Sequence, residues 1–249
     1  MPFAFPPELT IAFTGIPMMP TKAVVDGKLS EPLFHGTSTL FYESIRETGL
    51  GGRRMLDFIR LPDAIRELLK HYEQQLEKIP NWDFERTLLV RIAEPEQNLV
   101  GSFLRYCGTY LTPSKQTAAR YALLNEYGSE ALTCTLKILN SVIAELPELG
   151  LREPFSNVLA FAGQPKCPIV IEACNVPENI LLSERAGPCA PVLQILENAL
   201  SEPDIFDLLV QQDNFELLQP IPASQLRFYK IISPRSGHDS MENLKLAPL

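Results

Sequence analysis

The sequence predicts an α+β fold, and three observations carry that reading. Two long stretches repeat apolar residues at helical spacing, the second half is rich in short β-branched runs bounded by proline, and the residues with chemical potential fall at strand ends. The order is helix-rich first and strand-rich second, which suits two small packed sheets around a cleft.

Taken in chain order, Pro32-Leu33-Phe34 reads as a short strand ending at His35, with Ser38 placed to cap the helix that follows. That helix carries Ile45 and ends at Gly49-Leu50. The Gly49-Leu50-Gly51-Gly52 run lacks the Lys-Ser/Thr ending of a phosphate loop and reads as a C-cap. Leu61 to Ile79 is the clearest helix, since Ile65, Leu68, Leu69, Tyr72, Leu76 and Ile79 share one face, Pro62 and Asp63 start it and Pro80 stops it. Arg86 to Ala93, with Leu88, Leu89, Val90 and Ile92, reads as a strand. Gly108 to Thr112 reads as another, after which Pro113-Ser114 opens an amphipathic helix. Ser129 to Leu146 is the second strong helix, with Leu132, Leu136, Leu139, Val142 and Ile143 on one stripe.

Further on, Pro168 to Ala173 is β-rich and is followed by Pro177 to Leu181, a strand followed by a turn. Val192 to Leu200 reads as a helix, and Asp204 to Gln212 fits either a short helix or a buried strand. Phe215 to Leu218 and Leu226 to Ile232 are two strands joined by a proline-rich turn. One domain therefore spans residues 1–232, with a helical insertion at about 61–80, and the tail 233–249 has no apolar period and is expected to be mobile.

Composition narrows the function. The chain has 249 residues, 45% apolar and 21% charged, an ordinary globular balance. Its net charge of −8 does not present the basic field of non-specific nucleic-acid binding, although a local basic patch is compatible with it. The five cysteines include no Cys-x-x-Cys pair and the three histidines are far apart, so no metal site is expected. The odd cysteine count points to reduced thiols. Pro2, Pro6, Pro7, Pro17 and Pro20 break up the apolar N-terminal residues Phe3, Phe5, Ile11 and Phe13, which is not a signal-peptide pattern, and no stretch is long enough to cross a bilayer. A cytoplasmic protein, not associated with membrane, is the expectation, with delivery to another cell compatible with it.

The motifs are His35-Gly36-Thr37-Ser38, then Gly108-Thr109-Tyr110-Leu111-Thr112 with Ala118-Ala119-Arg120-Tyr121-Ala122 on the next helix, then Phe215-Glu216-Leu217-Leu218. In this chain order they resemble the ADP-ribosyltransferase superfamily of His-Tyr-Glu type, the diphtheria-toxin and poly(ADP-ribose) polymerase-like enzymes. The resemblance covers about residues 30–232 and departs from the family in two places. The interval from His35 to Tyr110 is lengthened by the Leu61 to Ile79 helix, and Asn214 stands two positions before Glu216, where arginine-modifying relatives carry glutamate.

The resemblance implies a split β-sandwich around an NAD cleft, and NAD as the substrate whose ADP-ribose moves to a protein or nucleic-acid acceptor. It assigns catalysis to His35, Tyr110 and Glu216, with His35, Gly36, Thr37, Ser38, Tyr110 and Tyr121 holding the dinucleotide. Cleaving the nicotinamide–ribose bond develops an oxocarbenium-like cation, so a carboxylate near the ribose accelerates it. Glu216 takes that part and bonds the ribose 2′-hydroxyl. Tyr110 stacks on nicotinamide, His35 bonds adenosine-side ribose, and the Gly36 backbone holds the carboxamide. Thr37 and Ser38 either bond ribose or cap a helix, and Arg53 and Arg54 are placed to meet the pyrophosphate. Tyr106 competes as the stacking residue, and Gln211, Gln212 and Asp213 compete as the third member. If the protein is a toxin, a neutralising partner protein is implied, with the N-terminal apolar residues as one docking place. Two other readings share the fold: an RNA 2′-phosphotransferase, which needs a basic cleft, and an inactive binding or scaffold subunit.

Overall fold

The computed structural model describes residues 22–94, 108–184, 188–232 and 245–249. Tyr106, Cys107 and the N-terminal apolar residues Phe3 to Phe13 lie outside them. A hairpin, β1 (Val24–Val25) and β2 (Lys28–Leu29), leads into β3 (Leu33–Ser38). Helices α1 (Tyr42–Thr48), α2 (Met55–Phe58), α3 (Leu61–Leu76) and α4 (Trp82–Ala93) follow. Then come β4 (Tyr110–Leu111), α5 (Lys115–Leu124), α6 (Glu130–Glu145) and α7 (Ser156–Ala162). The remainder holds β5 (Pro168–Ala173), β6 (Leu181–Ser183), α8 (Ala190–Leu200), α9 (Phe206–Leu209), β7 (Phe215–Leu217), β8 (Leu226–Ile232) and β9 (Lys245–Pro248).

These elements make an α+β architecture of small antiparallel sheets. One sheet has the order β3-β5-β8-β9 and the other β4-β7-β6. Side chains from both, Leu33, Ile169 and Ile171 from the first and Leu111, Phe215 and Leu181 from the second, bury into one shared core. The sheets are joined where Phe34 and Thr112 exchange backbone hydrogen bonds of 2.7 and 2.9 Å. On the opposite face of the four-stranded sheet lies α5, whose Ala118, Ala119 and Ala122 pack on Phe34, Val170 and Ile231. The approach is close enough that a Cβ on Gly36 would stand 1.9 Å from the Ala118 carbonyl oxygen. Small residues on both surfaces are what let helix and strand meet.

A second core belongs to the helices. Ile65 and Leu68 of α3, Leu89 and Ile92 of α4, Leu132, Leu136 and Leu139 of α6, and Val158 of α7 form it. Ser129 caps α6 by accepting from the Leu132 N–H, and Ser114 caps α5 by accepting from the Thr117 N–H. Helix α1 ends at Gly49, whose φ of 84° is a conformation that favours glycine.

The structure departs from the sequence reading in four places. Arg86 to Ala93, read as a strand, is the body of α4. Its apolar run is dense enough to suit either period, but Trp82, Leu89, Ile92 and Ala93 bury on one helical side and Arg86 pairs with Glu73 of α3. The first strand does not stop at His35 but runs to Ser38, because β5 pairs with its whole length. Beyond the 3-10 turn Glu178–Ile180, Leu181–Ser183 continues as strand β6, which the sequence reading did not place. In the tail, Lys245–Pro248 pairs with Tyr229–Ile232 as β9, and Leu246 adds to the apolar cluster under α5.

Candidate functional site

A cleft with a free volume of about 280 Å³ opens where β3, β4, α5 and the start of α6 meet. That is near the lower end of the range for small-molecule sites, roughly 300–1,000 Å³. His35, Gly36 and Thr37 of β3, Tyr110 of β4, and Tyr121 of α5 all line it. Arg53 and Arg54, in the segment between α1 and α2, line it as well. A larger hollow of about 380 Å³ lies against α4 and α6, where Phe84, Leu88 and Ile138 make a mainly apolar wall. None of the candidate site residues named from the sequence lines it.

His35 is fixed by its neighbour strand. Its Nδ1 lies 2.8 Å from the Tyr110 carbonyl oxygen. A carbonyl only accepts, which assigns the ring proton to Nδ1 and leaves the Nε2 lone pair as an acceptor. Burial holds the His35 pKa below its usual value, against the smaller opposing effect of that hydrogen bond. A neutral imidazole with one acceptor nitrogen suits a ligand hydroxyl as its partner.

Tyr110 and Glu216 are register partners across β4 and β7. Both side chains crowd Gly108: a Cβ there would lie 2.9 Å from Glu216 Oε1 and 3.0 Å from Tyr110 Cζ and its hydroxyl oxygen. Glu216 itself is not among the residues that line the cleft, whereas Gly108 and Tyr110 are. The three sequence-nominated residues are thus linked in series, His35 to the Tyr110 backbone and the Tyr110 side chain to the neighbourhood of Glu216.

Thr37 and Ser38 are engaged within the fold. The Thr37 hydroxyl donates to the Gly128 carbonyl at 2.8 Å, and the Ser38 hydroxyl accepts from the Leu40 N–H at 3.2 Å, capping a 3-10 turn. Both residues are buried. Arg54 pairs with Asp57 at 3.4 Å, and the Arg53 guanidinium stacks 4.1 Å from the Phe58 ring centroid. Of the residues competing for the third place, Gln211 offers its carbonyl to the Thr117 hydroxyl at 3.4 Å, and the Asp213 N–H bonds the Val210 carbonyl at 3.2 Å.

The cleft also holds residues the sequence did not nominate. Glu130, in the first turn of α6, and Glu184, just past β6, both line it, as does Asn214. The Asn214 Nδ2 donates to Glu184 Oε2 at 2.8 Å, and the Glu184 N–H donates to the Asn214 carbonyl at 3.0 Å. The Tyr121 hydroxyl accepts from the Glu130 N–H at 3.2 Å. Tyr121 is pushed up to about 12, chiefly by burial of its hydroxyl end and then by the Glu130 charge, while its ring stays partly exposed. Burial, and after it Glu184, raises the Glu130 carboxyl. Glu130 reads locally as a first-turn acid that complements the helix dipole, and Glu184 stands in no motif. Only the strand pairing that brings β6 beside β7 reveals it.

Comparison with protein families, curated proteins and solved structures finds no match for the chain. Among the described residues, no helix is long and apolar enough to cross a membrane.

Proposed function

We propose that the chain is an NAD-dependent ADP-ribosyltransferase with its dinucleotide in the cleft walled by His35, Tyr110 and Tyr121, and with a split β-sandwich fold of that superfamily. The observation that carries the reading is the hydrogen bond from His35 Nδ1 to the Tyr110 carbonyl, 2.8 Å long, combined with the pairing of Tyr110 opposite Glu216. Strand pairing sets Tyr110 beside Glu216, remote in sequence, and the His35 bond ties the first motif to the second, which supports the reading. The neutral His35 Nε2 accepts a ribose hydroxyl, the Tyr110 ring stacks on nicotinamide, and Arg53 and Arg54 face the pyrophosphate. Glu216 stabilises the positive charge that develops on the ribose as nicotinamide departs.

The test uses the full chain with NAD labelled in its adenylate half, alone and with protein, DNA and RNA fractions. Nicotinamide release and label transfer are read together. Release is expected, and Glu216→Gln is expected to lower it by a factor of about 100 or more while circular dichroism stays unchanged. Neither release nor NAD binding by the wild-type chain would overturn the proposal. Glu216 standing outside the cleft wall favours a second reading, a cleft-bearing binding subunit without catalysis. That reading is chosen if NAD binds and Glu216→Gln leaves every measured property as it was.

A further inference from the structure

We infer that the hollow between α4 and α6 is a binding site for a free amino acid with an apolar side chain, its ammonium met by Glu85 and its carboxylate by Lys137. The site is separate from the dinucleotide cleft, because no residue lines both, and the inference stands without the transferase reading. With a free volume of about 380 Å³, the hollow falls within the roughly 300–1,000 Å³ of small-molecule sites.

Helical spacing builds it. Phe84, Glu85 and Leu88 are neighbours on the surface of α4, and Cys134, Lys137 and Ile138 are neighbours on α6. Each helix thus sets one charge beside apolar side chains, an anion from one and a cation from the other. Phe84 is 65% exposed, so its ring is available to a ligand. Cys134 adds to the apolar part. Burial first, and then the Glu130 charge, pushes its thiol up, which keeps it protonated and unreactive at neutral pH.

The two charges narrow the ligand. Glu85 Oε2 is closed off from water and has no hydrogen-bond partner, so the carboxylate has lost part of its hydration without compensation. The adjacent cation on α4, Arg86, is committed to Glu73 of α3. An ammonium arriving from the hollow supplies the missing positive charge. Lys137 is exposed on α6 and receives the opposite end of a zwitterion. An alkyl amine satisfies only the first of these charges and a fatty acid only the second. An apolar amino acid meets both and lays its side chain on Phe84, Leu88 and Ile138.

The test titrates the full chain with L-leucine, N-acetyl-leucine and leucinamide, read by calorimetry and by the fluorescence of Trp82, the single tryptophan, which lies on α4 within a turn of Glu85. Saturable leucine binding is expected, weakened about tenfold when acetylation removes the ammonium. Leucinamide, whose missing carboxylate costs an exposed pair, is expected to bind about threefold more weakly than leucine. Glu85→Gln should remove the preference over N-acetyl-leucine, Lys137→Gln the preference over leucinamide, and Phe84→Ser should weaken all three ligands. Absence of leucine binding overturns the proposal, as does equal affinity for the three ligands or a leucine affinity unchanged in either charge variant. A wild-type dimer that Phe84→Ser splits, seen by sedimentation, gives the hollow to a second copy and overturns it as well. None of these measurements reads nicotinamide release, so their failure leaves the transferase reading in place.

Discussion

Tyr110 and Glu216 stand opposite each other across β4 and β7, and the ends of both side chains reach the space that a Cβ on Gly108 would fill. The missing side chain of that glycine is what makes room for an aromatic ring and a carboxylate in one corner. The corner therefore depends on a residue that contributes no chemistry of its own.

Gly108→Ala places a methyl 2.9 Å from the Glu216 carboxylate and 3.0 Å from the Tyr110 ring end. Both neighbours are side-chain termini, so they move and the backbone holds. NAD affinity is expected to fall at least tenfold, which is about 1.4 kcal/mol, with little loss of folding stability. Calorimetric titration beside a denaturant melt separates the two effects.

Gly36→Ala behaves in the opposite way. Its methyl would stand 1.9 Å from the Ala118 backbone carbonyl, so α5 must move off the sheet. The expected cost is about 1–3 kcal/mol of folding stability, as for overpacked cores. Urea unfolding monitored at the single tryptophan, Trp82, measures it.

The contrast between these two glycines indicates how far the sequence could be read. Gly36 is visible as part of His-Gly-Thr-Ser, but its closest neighbour, Ala118, belongs to a helix distant in sequence, and only tertiary packing makes the two meet. The long helices were legible because α3 and α6 each bury one stripe and carry their own start and stop signals. Helix α4 was not, since Leu88, Leu89, Val90 and Ile92 satisfy a strand pattern until Trp82 is counted with them. His35, Tyr110 and Glu216 were nominated by their motifs. Glu184 was silent because a lone glutamate after a three-residue strand has no spacing to betray it. Strand β9 was silent because Lys245–Pro248 is short and gains its apolar partner, the cluster containing Ile231, only by pairing with β8.

The His35 pKa lies below the ordinary histidine value, so the folded chain disfavours the imidazolium and the unfolded chain binds more protons. The stability contributed by neutral His35 is full above about pH 6.5 and is lost as pH falls through that value toward the lower folded pKa. Urea unfolding across pH 8 to 5 is expected to show this decline in the wild type and a flatter profile in His35→Gln. A nitrogen-15 spectrum at pH 7 should report the Nδ1–H tautomer, and the Nε2–H form would contradict the assignment to the Tyr110 carbonyl.

Thr37 is buried and its hydroxyl is committed to Gly128, in a loop where Gly128 has φ 78° and packs within 2.5 Å of the Ser38 nitrogen when given a Cβ. Thr37→Val keeps the shape but leaves the Gly128 carbonyl without that donor. A loss of about 1–3 kcal/mol is expected, with NAD affinity changed less than in Gly108→Ala. A fall in affinity larger than in Gly108→Ala, with unfolding unchanged, would instead put the Thr37 hydroxyl on the ligand.

Asp207 of α9 reaches the first turn of α5, where the Ser114 hydroxyl donates to its Oδ2 at 3.1 Å and the Gln116 N–H to its Oδ1 at 3.5 Å. Ser114 in turn accepts from the Thr117 N–H at 3.0 Å, and the Thr117 hydroxyl bonds the Gln211 carbonyl at 3.4 Å. A carboxylate beside exposed N–H groups also complements the helix dipole. This clasp ties α5, which presents Thr117, Ala118 and Tyr121 to the cleft, to the segment that runs into Asn214 and Glu216. Asp207→Asn retains an acceptor and removes the charge, so it is expected to cost a few tenths of a kcal/mol to about 1 kcal/mol. Asp207→Ala removes the acceptors as well, and about 1 kcal/mol or more should be lost. Because the clasp joins two walls of the cleft, Asp207→Ala should also weaken NAD binding while Asp207→Asn largely preserves it. Equal NAD affinity for the wild type and both variants, measured by calorimetry on folded protein, would restrict Asp207 to holding the helix end.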